Sequence, residues 1–321
     1  MGTNCYGPEG TRIGTPENRD YISSLDGLER ALLKGKILEA TALVCDGDLN
    51  LHVDLYGVEG IIEKNECIYL RKGEVPKDIA IITRVGKPIC FKVLSIDKSG
   101  EKPIAYLSRR EAQLECVSNC FSQLVCGDII KAKVTHLENF GAFTDIGCGM
   151  PSLLSVDCIS VSRISHPRDR LYCGELIDVV IKNIDEETGR IFVSRRELLG
   201  TWEENAALFS AGQTVAGIIR SIEPYGIFVE LAPNLAGLAE ARDDRFSDEN
   251  MIGQSAAVYI KSIIPERMKI KLVIIDSCHE AEKNIRAKEE KIFIDVSKTS
   301  HIDHWRYSPE GAPRIIETIF G

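Results

Sequence analysis

No stretch of this sequence is apolar for the roughly 18 residues that a membrane-crossing helix needs, which argues against a spanning protein. An N-terminal signal is also lacking. The opening Met1-Gly2-Thr3-Asn4-Cys5-Tyr6 has no apolar core, and Tyr6 stands where a myristoylation motif wants Ser or Thr. Positive charge is in short supply, with 39 Lys and Arg against 48 Asp and Glu and a net charge of -9. A smooth basic surface that coats nucleic acid by charge alone is thereby excluded, and any polyanion has to be gripped locally.

Catalytic and metal signatures are missing as well. No Gly-x-Ser-x-Gly elbow occurs, and the six histidines sit apart from carboxylate or thiol partners in any recognisable order. Gly147-Cys148-Gly149-Met150-Pro151-Ser152 begins like a phosphate loop but lacks a third Gly and a Lys-Ser or Lys-Thr ending, so it reads as a turn between strands. Cysteine is plentiful at 11, yet no Cys-x-x-Cys pair exists. Neither Cys116, Cys120 and Cys126 nor Cys278-His279 with His301 and His304 closes a four-ligand set. The odd count without a repeated framework predicts reduced thiols and a cytoplasmic location, and no metal, no cofactor and no enzymatic activity are expected.

What is present is ordinary globular composition, 44% hydrophobic and 27% charged, over 321 residues, enough for two or three domains. One block recurs. Gly127-Asp128-Ile129-Ile130-Lys131-Ala132-Lys133-Val134 is followed by Asn139-Phe140-Gly141-Ala142-Phe143-Thr144-Asp145-Ile146, then by Gly174 to Asp185, and it closes on Arg190-Ile191-Phe192-Val193-Ser194. The same order of parts returns from Gly212, through Tyr225-Gly226-Ile227-Phe228-Val229, to Lys269-Ile270-Lys271-Leu272. A fainter copy starts at Gly35, and its ending Leu107-Ser108-Arg109-Arg110-Glu111 echoes Val193-Ser194-Arg195-Arg196-Glu197. Each copy is a set of short strands broken by Gly, Asn and Pro turns, which suits a small closed sheet.

The fold class is therefore all-β: three tandem five-stranded barrels with short helical connectors over 111–123 and 198–210. The expected divisions are a mobile N-terminal segment 1–22, a degenerate first barrel 23–111, a second 124–198, a third 211–276 and a C-terminal extension 277–321 of unassigned role. Within the ends, Ser24 to Leu33 reads as an amphipathic helix, Glu280 to Glu290 as helix-like and Lys291 to Val296 as strand-like.

Asn139 to Ile146, Ile164-Ser165-His166-Pro167 and Gly174 to Asp185 together resemble the RNA-binding repeat of ribosomal protein S1, an OB-fold barrel. Tyr225 to Leu231 with Ala236-Gly237-Leu238 resembles the same repeat, and with the faint copy the likeness spans most of residues 24–276. The arrangement is similar to the short multi-repeat S1-like proteins of Gram-positive bacteria. The resemblance implies single-stranded RNA, with mRNA and the small ribosomal subunit as partners, in translation, by a monomeric elongated chain.

Phe140 and Phe143 are either core residues or a stacking platform; recurrence at Tyr225 and Phe228 favours the platform, which needs an irregular strand that Gly141 tolerates. Stacking contributes about 1 to 3 kcal/mol per base with little regard to sequence. Lys131 and Lys133 alternate with Ile130, Ala132 and Val134, so they face outward, towards solvent or phosphate. By position in the family, Asp185 and Arg190 flank the turn before the last strand and approach RNA, with Lys269 at the basic position of the third repeat. A family histidine falls on Ser155, Glu240 stands in its place in the third repeat and Pro265 replaces the aspartate there. The second barrel is thus expected to be the principal site and the third to assist. Leu49 and His52 occupy the aromatic positions of the first barrel and leave no platform, which suits a protein-docking or spacer barrel. The rival reading is a scaffold that docks on a ribonucleoprotein complex without gripping RNA.

Overall fold

A computed structural model describes residues 6–71, 73–240, 251–278 and 290–320. Three closed barrels follow one another, each of five strands in one topology. The first comprises β1 (Leu38–Cys45), β2 (Leu51–Leu55), β3 (Val58–Ile62), β4 (Pro88–Asp97) and β5 (Ile104–Ser108). The second comprises β6 (Ile129–Glu138), β7 (Gly141–Asp145), β8 (Pro151–Ser155), β9 (Leu176–Ile184) and β10 (Ile191–Ser194). The third comprises β11 (Thr214–Glu223), β12 (Gly226–Ala232), β13 (Leu235–Ala239), β14 (Ser255–Ile264) and β15 (Lys269–Cys278). In every barrel the first three strands form a meander, and the third closes the sheet by pairing in parallel with the fifth. Alternation does the sorting: on β6, Ala132 and Val134 are fully buried while Lys131 is exposed.

Two helices precede the first barrel, α1 (Pro16–Ile22) and α2 (Leu25–Lys34), and a short one, α3 (Asp78–Ile82), stands between β3 and β4. The side chains of Thr15 and Ser24 accept from the Asn18 and Gly27 amides, and Leu28 buries its whole side chain against the barrel core. Residues 6–22 are therefore not a free tail. Glu9 lies between barrels one and two: its carboxylate accepts from Arg109 Nε at 2.7 Å and from the Cys90 amide at 3.1 Å, while its own amide donates to Asp145 at 2.7 Å. The composition of the segment is polar because its polar groups serve this junction.

The recurring Ser-Arg-Arg-Glu endings also acquire a meaning. After β5, Ser108 caps α4 (Arg109–Asn119), and Arg109, only 1% exposed, pairs with Glu9 from the N-terminal side. After β10, buried Arg195 pairs with Glu290 from the C-terminal side at 3.0 Å. The second connector ends in α5 (Trp202–Ala206), with a capping box between Thr201 and Glu204.

The C-terminal extension is a strap. Phe293 donates its amide to the Leu198 carbonyl of the second connector, and on the second barrel Ile129 donates to Ser300 and His301 pairs with Asp128 at 2.8 Å. The chain then crosses to the third barrel as a two-stranded sheet of β16 (His304–Arg306) and β17 (Glu317–Ile319), burying Trp305 and Tyr307 in that barrel's core cluster. Tyr307 Oη donates to the Asn234 carbonyl at 2.6 Å. Residues 291–296 form no strand: Phe293 gives its amide to Leu198 in the second connector, and the Asp295 carbonyl accepts from Lys298 and Thr299 in a turn. Of the stretch expected to be helical at 280–290, all but Glu290 lies outside the described residues.

Candidate nucleic-acid interface

Phe140 is not on a strand. It occupies the tight turn between β6 and β7, 55% exposed, and Phe143 follows on β7; the rings meet edge to face with centroids 5.9 Å apart. The third barrel repeats this with Tyr225, 67% exposed, in the turn and Phe228 on β12, at 6.2 Å. The irregularity expected at Gly141 lies elsewhere. Strand β7 pairs with β8 without a shift, and the bulge is in the neighbouring strand, between Val134 and His136, matched by one between Ile219 and Ser221 in β11. Residues three apart share a face here because the first stands on the turn, outside the pleat. The glycine is needed for close approach: a Cβ on Gly141 would lie 2.4 Å from the Leu154 carbonyl oxygen, and one on Gly226 2.6 Å from that of Ala239.

Strand register extends each platform into a row across the barrel. In the second barrel His136 faces Phe143, Phe143 faces Leu153, Leu153 faces Phe192 and Phe192 faces Asn183, all outward and at least partly exposed. The third barrel's row is Ser221, Phe228, Leu238, Lys271 and Ser262. The first barrel's is Val44, His52, Ile61, Tyr106 and Ser95. There Leu49 turns inward against the core, and His52 sits 3.3 Å from both Asp46 and Glu59, so the outward pair of rings is lost. Sequence reasoning missed His136, Phe192 and Lys271, although alternation from Arg190 and from Lys269 already places Phe192 and Lys271 two residues on, on the same face.

The basic residues divide. Lys131 is exposed and pairs with Asp178 at 3.0 Å. Lys133 is half-buried and donates from Nζ to the Glu9 carbonyl at 2.9 Å, so it anchors the N-terminal segment. Arg190 is exposed and pairs across barrels with Glu74 at 3.3 Å. The Asp185 carboxylate accepts from the Thr188 hydroxyl and the Glu187 amide, bonds that hold it below the usual carboxylate range and fix the β9–β10 turn. Ser155 lies across from Gly141 and does not take the place of a ring-flanking histidine; His136, opposite Phe143, is the histidine that stands beside the rings. Lys269 is exposed at the mouth of the third barrel's row, with no ion pair among the described residues.

At the junction of the first two barrels, Asp145 is buried beside Glu9, and this pushes its pKa up to about 7 against three backbone N–H donors, those of Glu9, Gly147 and Gly149. Four buried thiols, Cys90, Cys116, Cys120 and Cys148, pack in the same junction. Among the described residues no three His, Cys, Asp or Glu side chains are grouped to hold a metal ion, and no helix is long and apolar enough to cross a membrane.

Residues 126–196 match the S1 RNA binding domain. The chain is similar to small ribosomal subunit protein bS1 of Leuconostoc lactis, 32% identical over 197 residues, covering 58% of this chain and 45% of that protein. It is also similar to the bS1 homolog of Bacillus cereus, 28% identical over 244 residues, covering 74% and 60%. The matched part spans less than two thirds of these relatives. A solved multidomain protein with nucleic acid binding domains from Streptococcus pneumoniae covers 75% of this chain and 74% of its own at 14% identity, with a TM-score of 0.24.

Proposed function

We propose that this chain, whose second barrel is an S1 RNA-binding domain within an S1-like protein, is a non-enzymatic cytoplasmic factor that binds single-stranded RNA, mRNA above all, and acts in translation with the small ribosomal subunit. The observation that carries the reading is the paired platform, Phe140 with Phe143 and Tyr225 with Phe228, solvent-facing in two barrels of the same topology. Exposed aromatic pairs are costly to leave bare and suit base stacking, which an acidic chain needs in place of broad charge. Lys131 and Arg190 reach phosphate by giving up exposed ion pairs worth little, whereas Lys269 has no ion pair to give up among the described residues. Lys133 and Asp185 support the face without touching the strand. Two modest sites on one chain raise affinity for one strand through effective concentration.

Titration of labelled unstructured RNA tests this. Phe140→Ala/Phe143→Ala should weaken binding at the second barrel by roughly 2 to 6 kcal/mol if each ring stacks on a base. Equal affinities of the wild type and a variant lacking both pairs, Phe140→Ala/Phe143→Ala/Tyr225→Ala/Phe228→Ala, would sink the stacking model. The first barrel favours a second activity, protein docking, since Leu43, Val44 and Leu94 are exposed there while its ring pair is absent.

A further inference from the structure

The outward face of the third barrel does not stop at its own strands. The C-terminal strap, returning from β16 to β17, runs past it, and a groove of about 970 Å³ is lined jointly by the barrel and by Pro313, Arg314 and Ile316 of the strap. Buried Ile227, Ile270 and Leu272 underlie the groove, and Tyr225 and Phe228 line it. Five exposed cations, Lys261, Arg267, Lys269, Lys271 and Arg314, line it too, and none has an ion pair among the described residues. Glu240 is the one lining carboxylate among the described residues. The second barrel is the reverse case, its Lys131, Lys133 and Arg190 all being engaged by groups of this chain.

We propose that this strap-lined groove is the main strand-binding channel of the protein, with Arg267 and Arg314 holding phosphates of a single-stranded RNA whose bases stack on Tyr225 and Phe228. The inference rests on the RNA reading above and adds to it a binding element, the strap, that lies outside the barrel repeat. Charge selects the occupant. Five cations without an ion pair among the described residues, set around apolar and aromatic side chains, match a polymer that alternates phosphate with flat rings, and the strap is held in place by Trp305 and Tyr307, so the channel is formed before binding.

The test is fluorescence anisotropy of the full chain with a labelled oligouridylate about 12 nucleotides long, within the site size of such barrels, across a series of salt concentrations. R267Q/R314Q should make the salt slope shallower by about 1.4, at 0.7 per phosphate contact, and weaken binding roughly 25-fold at 0.1 M salt. R314K should restore most of the loss at that position. The charge-matched control K102Q/K298Q, with both lysines exposed and away from the groove, should stay within about twofold. Melting temperatures of all variants confirm folding, since both arginines are surface residues. Unchanged slope and affinity in R267Q/R314Q, with wild-type RNA binding intact, would overturn the channel and leave the RNA reading standing. A wild type that binds no RNA would overturn that reading itself. If labelled polyglutamate then binds and R267Q/R314Q abolishes it, the groove takes acidic peptide, and the proposal falls with it.

Discussion

The second and third barrels share a topology, a ring pair and a bulge, yet they differ in what surrounds the rings. The second barrel is clasped by the N-terminal segment: Glu9 reaches its β7 turn, Lys133 ties to Glu9, and Arg190 leans on the first barrel. The third is clasped by the C-terminal strap at its core, and the cations that line its groove have no ion pair among the described residues. A repeat copied within one chain keeps its aromatic geometry through local sequence. Its electrostatics, by contrast, are set by whichever terminus packs on it. The motif in better agreement with the family is thus not the one with more charge to offer.

Four experiments break or sharpen this contrast. Removing the strap's anchor by Trp305→Ala should cost about 3 to 5 kcal/mol, as for other large buried aromatics, and hydrogen exchange should quicken across β11–β15 while β6–β10 stay protected; uniform protection would mean the strap is not part of that core. The corresponding blow at the other end is Glu9→Gln, which leaves buried Arg109 without its counter-charge. Breaking a buried pair costs about 3 to 5 kcal/mol at the upper range, read as a lowered denaturation midpoint, with exchange quickening at β4 and β7 and not in the third barrel.

The same junction carries a pH signature. The folded Asp145 pKa of about 7 lies above its unfolded value, so between the two the folded state holds a proton that the unfolded state has lost. Stability is then fullest below the unfolded value and falls as pH rises towards 7, by at most about 1.4 kcal/mol per pH unit. Melting curves from pH 5 to 7 should show this slope in the wild type and a flatter one in Asp145→Asn; identical slopes would refute the assignment. The smallest effect compares single lysines. Lys271→Gln should reduce the salt slope of RNA binding by about 0.7, whereas Lys131→Gln, already paired with Asp178, should change it by less than half as much.

Much of this was legible in the chain before any coordinates. The three barrels follow from the order of β-branched runs and turns, and the ring pairs from Phe140-Gly141-x-Phe143 and Tyr225-Gly226-x-Phe228, because these are local patterns with period two and fixed turn chemistry. Why the rings share a face was misplaced: Gly141 serves close approach to Leu154, and the bulge belongs to the partner strand. Phe192 meets the platform through parallel pairing with Leu153, 39 residues earlier in the chain, and His136 faces Phe143 only because the bulge between Val134 and His136 shifts the register of β6, which plain alternation does not reveal.

Local sequence by itself determined the repeat, its strands and the residues that alternate outward, since each depends on neighbours within a few positions. Only the tertiary structure decided which charges are free and what the two ends of the chain do. Glu9 finds Arg109 and Asp145, Glu290 finds Arg195, and Trp305 finds the third barrel's core through contacts spanning about a hundred residues or, for the last two, from an extension with no repeat to read it against. Pairing energies of this kind depend on distance in space and on burial, quantities that a charge count of -9 averages away.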